Sequence, residues 1–458
     1  MTNVLVMLIQ EKSIANLLDN MLIALTFPWA KSRNYSLSAL IGSIEIDSEL
    51  TDIEIIIVNG SLKTSIERIS KKFDKIIICI SFMTPDLKHI RNEIDSLSSL
   101  QNPIRKKLIL IAGGPHPTGD PLGTLKMGFD IIVIGEGEKT LRKIISKIKN
   151  NDSIEDLKGL AYQKNHQTFI KKSNDWINLD DFPAFAPLHR LFSPIEISRG
   201  CPFVCNFCQT PRIHGGSMRH RSISNICRHL RYASKIGKKN TWFISSNAFA
   251  YGSFDGKKTN ETAIEDLLRS IRKIPSMEKI FFGTFPSEVR PEFVTDDLVS
   301  LIIEYCTNRT LSIGAQSGSD RILEFIHREH TVEEIMNSIE IVKKYGIIPY
   351  VDIIFGLPSE NDEDRARTRE LMKFVIDKGG IIHSHVFIPL PGTPFQRFPP
   401  GRITIEDRNY IQKLTATGKA NGSWQHQMRI GEEIDSVFQK KRALRRKSSD
   451  DSNIFRLM

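Results

Sequence analysis

Cysteine is scarce in this chain, six in 458 residues, and that scarcity excludes the disulfide-dense scaffolds of small secreted domains. Long apolar runs are missing too. No uncharged stretch approaches the roughly 18 to 20 residues of a membrane-spanning helix. The first residues, MTNVLVMLIQEKSIANLL, lack a basic start, and Gln10, Glu11 and Lys12 break their apolar stretch. A secretory signal is therefore not expected, and the composition reads as a soluble, cytoplasmic protein. Acidic excess is also absent. The net charge is +10, and part of it lies in the tail QKKRALRRK, with Lys440, Lys441, Arg442, Arg445, Arg446 and Lys447. Such a run suits nucleic acid or another acidic surface. It has no interleaved aromatics for base stacking, so a solvated tail is the favoured reading over nucleic-acid binding.

What is present is ordinary globular composition, 40% hydrophobic and 25% charged, over a length that accommodates two or three domains. Abundant Ile and Lys suggest an AT-rich, archaeal-type source. Residues 1–150 alternate Ile/Val-rich runs with amphipathic segments. Strands are expected at 3–9, 53–58, 75–81, 107–113 and 130–135, and a helix over EKTLRKIISKIK. Continuous apolar runs without polar alternation suit parallel strands covered on both faces, a doubly wound α/β sheet. Residues 151–193 read as a short hairpin followed by a proline-containing linker. A second βα alternation over 194–395 has six strands, PIEISRG, NTWFISS, KIFFGTF, TLSIGAQS, YVDIIFG and IHSHVFIPL. Six such units make a partial parallel barrel, short of the eight of a closed one. Residues 396–458 read as a helical extension ending in the basic tail. The helix over SISNICRHLRYASKIG sets Ile223, Ile226, Leu230, Ala233 and Ile236 on one face, and Thr331 with Glu334 forms a capping box.

Ligands in parallel α/β folds gather at the carboxyl ends of strands. Directly after the first barrel strand stands RGCPFVCNFCQTPR (199–212), with Cys201, Cys205 and Cys208 in a C-x3-C-x2-C spacing. Structural zinc usually takes two short-spaced pairs, and only His214 lies near enough to serve as a fourth ligand. Three thiolates on one tight loop also suit an iron–sulfur cluster with one iron left open. Cys79, Cys227 and Cys306 lie in apolar or amphipathic runs and read as small buried hydrophobes.

The cysteine spacing, with Phe207 in the aromatic position before the third cysteine, resembles the radical S-adenosylmethionine (SAM) superfamily. GAQSGSDRIL, VDIIFGLPSE and FIPLPGTPF resemble further segments of that superfamily, each at a strand end. The resemblance implies a [4Fe–4S] cluster on Cys201, Cys205 and Cys208 and SAM on its open iron. It implies SAM contacts at Phe207, Ser246, Asn247, Gln316, Ser317, Gly318 and Gly356. Gln316 stands where relatives usually carry Glu, and Ser245, Ser246 and Asn247 stand where they often carry acidic or glycine-rich sequence. Glu288 and Arg290, and the Arg and His residues of HGGSMRHRS and FIHREHT, are further candidates for the cavity or an anionic ligand. A one-electron donor such as ferredoxin or flavodoxin is implied as partner; the substrate is unknown.

Residues 1–150 resemble the cobalamin-binding domain that often precedes such a barrel, which would place cobalamin near Ser81, Gly113, Gly114 and Thr118. The D-x-H-x-x-G segment that supplies a histidine to cobalt is absent after the expected first strand, where LIQEKSIAN stands, and His116 is not expected to ligate. The combined resemblance implies methylation of an unactivated carbon. The alternatives are a methylthiotransferase-like RNA-modifying enzyme, or a radical SAM enzyme whose first domain binds no cobalamin. Against the RNA reading, residues 1–150 offer no second cysteine triplet.

Overall fold

The computed structural model describes residues 21–434. The expected strand at 3–9 and the basic tail at 440–447 lie outside them. The described residues form two compact units, one of residues 21–174 with 185–191, the other of residues 175–184 with 192–434.

The first unit is a seven-stranded sheet of β1 (Ile23–Pro28), β2 (Glu54–Val58), β3 (Lys75–Ser81), β4 (Leu108–Gly113), β5 (Ile131–Val133), β6 (Leu160–Lys164) and β7 (Gln167–Lys171), ordered β2-β1-β3-β4-β5-β6-β7. The first five are parallel. Strand β1, IALTFP, was not anticipated: its six residues are all buried, but the run is short and ends in Pro28. Period-two side-chain alternation gives the sheet two cores. Leu25, Phe27, Ile77 and Ile111 pack under helices Asn34–Glu45 and Gly137–Lys149. Ala24, Ile76, Ile78 and Ile80 pack under helices Leu62–Ile69 and Leu87–Leu97. Each isoleucine so buried contributes about 1.5–3 kcal/mol. The doubly wound reading therefore holds, with one difference in extent. The hairpin set apart from the sheet by sequence pairs antiparallel onto β5 and makes its last two strands. Residues 185–191 also return to this unit, where His189 Nδ1 lies 2.7 Å from Glu45.

The second unit is the partial barrel. β8 (Ile195–Glu196), β11 (Asn240–Ile244) and β12 (Lys279–Phe281) form one parallel arc. β13 (Thr310–Gln316), β14 (Ile348–Phe355), β15 (Ile381–Val386) and β16 (Ala420–Asn421) form the other. Ser312 N–H donates to Gly283 O (2.9 Å) and Val289 N–H to Ser312 O (2.8 Å), which joins the arcs. Between β8 and β11, β9 (Ser198–Arg199) and β10 (Arg219–His220) form an antiparallel ribbon that carries the cysteine loop. The six expected barrel strands are all present; β16, within the expected helical extension, adds a seventh. The Thr331–Glu334 capping box is formed. Helix Ile223–Lys235 ends before Ile236, which is exposed rather than part of the apolar face. No described helix is long and apolar enough to cross a membrane.

Candidate active site

The cysteine loop is shaped by its glycine and held by three later segments of the barrel. Gly200 has φ +93°, and a Cβ there would lie 2.2 Å from Ser217 O, so only glycine lets the chain leave β9 in this direction. Cys208 N–H closes a turn onto Cys205 O (3.1 Å). Ser246, at the end of β11, donates to Gly200 O (2.7 Å). Asn206 takes the carbonyls of Phe325 and Ile326 through its side chain and backbone N–H, and its own carbonyl accepts Phe395 N–H. Gln209 donates to Pro391 O (2.7 Å). Segments that follow β11, β13 and β15 thus all contribute to holding the cysteine loop.

Two guanidiniums flank the loop. Arg328 Nη1 points to Cys205 Sγ (3.8 Å) and its Nη2 donates to Gly314 O (2.7 Å). Arg290, 3% exposed, stacks over the Phe203 ring at 3.5 Å, pairs with Glu292, and donates to Arg328 O. Burial, with the neighbouring thiolates, pushes the Cys201 thiol up to about 11, against the opposing pull of Arg290. Burial also raises Cys208, where Thr210 and Arg328 favour the thiolate. A cationic frame of this kind suits a set of thiolates that becomes anionic only when a metal group is bound.

The donor set fits a cluster better than a single ion. Among the described residues, the only three Cys, His, Asp or Glu ligand atoms that meet within 4.8 Å are those of Asp352, His383 and His385. The thiols and His214 do not converge as four ligands on one zinc ion must, about 4 Å apart for sulfurs. On a cluster each thiolate takes its own iron. Several buried polar atoms near the cysteine loop have no hydrogen-bond partner, among them Arg290 Nη1, Arg328 Nε and Asn247 Nδ2. Buried donors left open in this way fit a polar ligand such as SAM.

The other expected SAM contacts divide. Phe207 is half-buried on the cysteine loop, and Asn247 is fully buried, its Oδ1 facing Arg290 N–H (3.4 Å) and its Nδ2 open. Gln316 ends β13 at φ +76°, a strained backbone for a non-glycine residue, beside the β-bulge of that strand. Ser317 and Gly318 are different: the Ser317 hydroxyl and the Gly318 N–H (3.0 Å) are both turned to Thr368. A Gly318 Cβ would meet Arg367 O and Thr368 Cα at 2.6 Å. Their polar groups serve the packing of helix Asp362–Asp377 and are not open to a ligand. Gly356, with φ +69°, also approaches the chain closely: its Cβ would lie 2.6 Å from Arg402 N. Glu288, expected at the cavity or in a surface pair, is half-buried, and its carboxyl is raised by desolvation and by the charge of Asp352. Of the other cysteines, Cys79 and Cys227 are buried, and Cys306 is partly exposed.

In the first unit, Ser81 and Gly113 are register partners at the carboxyl edge, and a Gly114 Cβ would lie 2.7 Å from Ser81 Oγ. Thr118 Oγ1 accepts Gly135 N–H (3.1 Å). The four expected cobalamin contacts therefore share one edge of the sheet. His116 is buried, bonded to Thr84 (3.1 Å) and stacked on Phe82. The loop after the observed first strand is WAKSRN, which also lacks a D-x-H-x-x-G segment.

Residues 43–145 match the B12 binding domain family and residues 195–372 the Radical SAM superfamily. The chain carries a B12-binding domain and a radical SAM domain. It is 24% identical over 363 residues to an uncharacterized protein of Methanopyrus kandleri, covering 70% of this chain and 67% of that one. It is 30% identical over 226 residues to a tRNA-2-methylthio-N(6)-dimethylallyladenosine synthase of Sulfurihydrogenibium sp., 48% of each chain. The match thus spans about half the length of that curated relative. Among solved structures, the radical SAM methyltransferase TsrM of Kitasatospora setae, with cobalamin and a [4Fe–4S] cluster bound, superposes with a TM-score of 0.63 at 14% identity. That match covers 81% of this chain and 73% of TsrM, and the likeness is one of fold.

The polar trio of Asp352, His383 and His385 inside the barrel went unnoticed in the sequence. Its signal was there: a histidine pair at i, i+2 in one strand and a lone aspartate in the strand beside it.

Proposed function

We propose that this chain is a radical SAM enzyme that methylates an unactivated carbon of an as yet undefined substrate. The observation that carries the reading is the loop of Cys201, Cys205 and Cys208, fixed at the carboxyl end of the first barrel strand with two guanidiniums beside it. The three thiolates would hold a [4Fe–4S] cluster, which when loaded supplies the electron for reductive cleavage of SAM to methionine and a 5′-deoxyadenosyl radical. Cobalamin, held along the edge of Ser81, Gly113, Gly114 and Thr118, would supply the methyl group without a histidine from this chain. Arg290 and Arg328 offset the negative charge of the thiolates, and Asn247, Gln316 and the half-buried Phe207 are the remaining contacts for SAM. Ser317, Gly318 and Gly356 hold the surrounding backbone. The electron would come from a ferredoxin- or flavodoxin-type donor.

The likeness to the tRNA methylthiotransferase supports a second reading, RNA modification. Cys79, the single cysteine in residues 1–174, is buried within β3, so the first unit offers no second thiolate set. Carbon methylation is favoured for that reason.

Anaerobic reconstitution followed by incubation with SAM and dithionite tests the reading. 5′-Deoxyadenosine is expected, and its release should fall to background in Cys208→Ala. Persistence of cleavage in that variant contradicts the ligand assignment. Absence of cobalamin after purification from cells supplied with it contradicts the methylation reading alone.

A further inference from the structure

His383 and His385 lie two residues apart on β15, so their side chains leave the same face of the strand. Asp352, on β14, is the register partner of His383. Three ligand-type atoms meet there. His383 Nδ1 is 2.7 Å from Asp352 Oδ1 and 3.1 Å from His385 Nε2, and His385 Nε2 is 3.6 Å from the same oxygen. Nitrogen and oxygen ligands about 2.0–2.2 Å from one tetrahedral ion lie roughly 3.3 Å from each other. The three observed edges bracket that distance.

Gln427 anchors the outer edge of this triangle: its Oε1 accepts Val386 N–H (2.8 Å) and its Nε2 lies 3.2 Å from His385 Nδ1. Both imidazoles face Asp352 Oδ1, which can accept an N–H from each, and a cation at the centre would take the place of those protons.

Access is provided. His383 lines a cavity of about 650 Å³ with Trp242, Phe281, Ser312 and Tyr350. Lys279, Thr310 and Ile381, the first residues of β12, β13 and β15, line it together with Thr284 and Phe285, which follow β12. Two imidazoles and one carboxylate suit zinc or ferrous iron, not the all-oxygen preference of magnesium or calcium, and they leave positions open for an exogenous ligand. We propose that Asp352, His383 and His385 bind a divalent transition-metal ion of the zinc class inside the barrel. The site uses none of the cysteine-loop residues and does not depend on the radical SAM reading.

Zinc is the probe. The full chain, purified anaerobically, is incubated with zinc chloride, desalted, and measured by elemental analysis and zinc K-edge X-ray absorption. About one zinc per chain in nitrogen and oxygen ligation is expected, and at least about a tenfold loss of it in Asp352→Asn and in the double variant His383→Gln/His385→Gln. Far-ultraviolet circular dichroism and the melting temperature serve as the check that the variants fold. No retained zinc, sulfur-only ligation, or zinc content unchanged in folded variants overturns the proposal. If the variants do not fold, ligation in the wild-type chain decides it.

Discussion

Arg328 is the residue on which the thiol environment turns most. It reaches Cys205, anchors on Gly314 O, and receives Arg290 on its own carbonyl. Replacing it with Ala leaves the thiolates beside one guanidinium instead of two. Iron retained through anaerobic desalting should fall by more than half in Arg328→Ala, and less in Arg328→Lys, which keeps the charge but not the fork. Glu360 supplies a pH test. Burial raises its carboxyl to about 7, against the backbone N–H groups of Gly356 and Leu357 and the pull of Arg365. From about pH 4.5 to 7 the folded chain keeps this proton while the unfolded chain has lost it, so this group makes stability fall as pH rises. Glu360→Gln should therefore be more stable than wild type at pH 8 in a denaturant titration, by about 1–3 kcal/mol, with the difference shrinking toward pH 5. At this scale the cysteines were legible because their chemistry needs a fixed local spacing. Asp352 and His383 were not, because their meeting depends on the register of two strands some thirty residues apart.

Elements were legible wherever periodicity and caps agreed. The capping box at Thr331 set the start of helix Val332–Lys344, and Thr331→Ala should cost about 1 kcal/mol in a denaturant titration. Strand β1 was missed because its run is short and ends in Pro28, a residue uncommon inside sheets. The hairpin reads the same whether it stands alone or pairs with β5; only the free edge of β5 assigns it. The segment at Ser317 and Gly318 resembled a ligand-binding turn, yet Thr368, fifty residues on, takes its polar groups. Gly200 carries the element-scale test of the site. Gly200→Ala forces a methyl group into Ser217 O in a left-handed backbone conformation, so the ribbon and its loop must shift. Cluster content should fall several-fold, while far-ultraviolet circular dichroism, dominated by helices and sheets elsewhere, changes little.

For the whole molecule, the doubly wound sheet and the partial barrel were both readable from their βα alternation. Each matches its own family, B12 binding over 43–145 and radical SAM over 195–372. The substrate was not readable, because the fold fixes where ligands gather and not which carbon reacts. The central claim is narrower: three thiolates leave one iron of a cluster open to SAM. Electron paramagnetic resonance of the reconstituted, dithionite-reduced chain, recorded with and without SAM, tests it most directly. About four irons and four sulfides per chain and a spectrum that shifts on adding SAM are the predicted result. A reduced cluster whose spectrum SAM leaves unchanged would contradict the account.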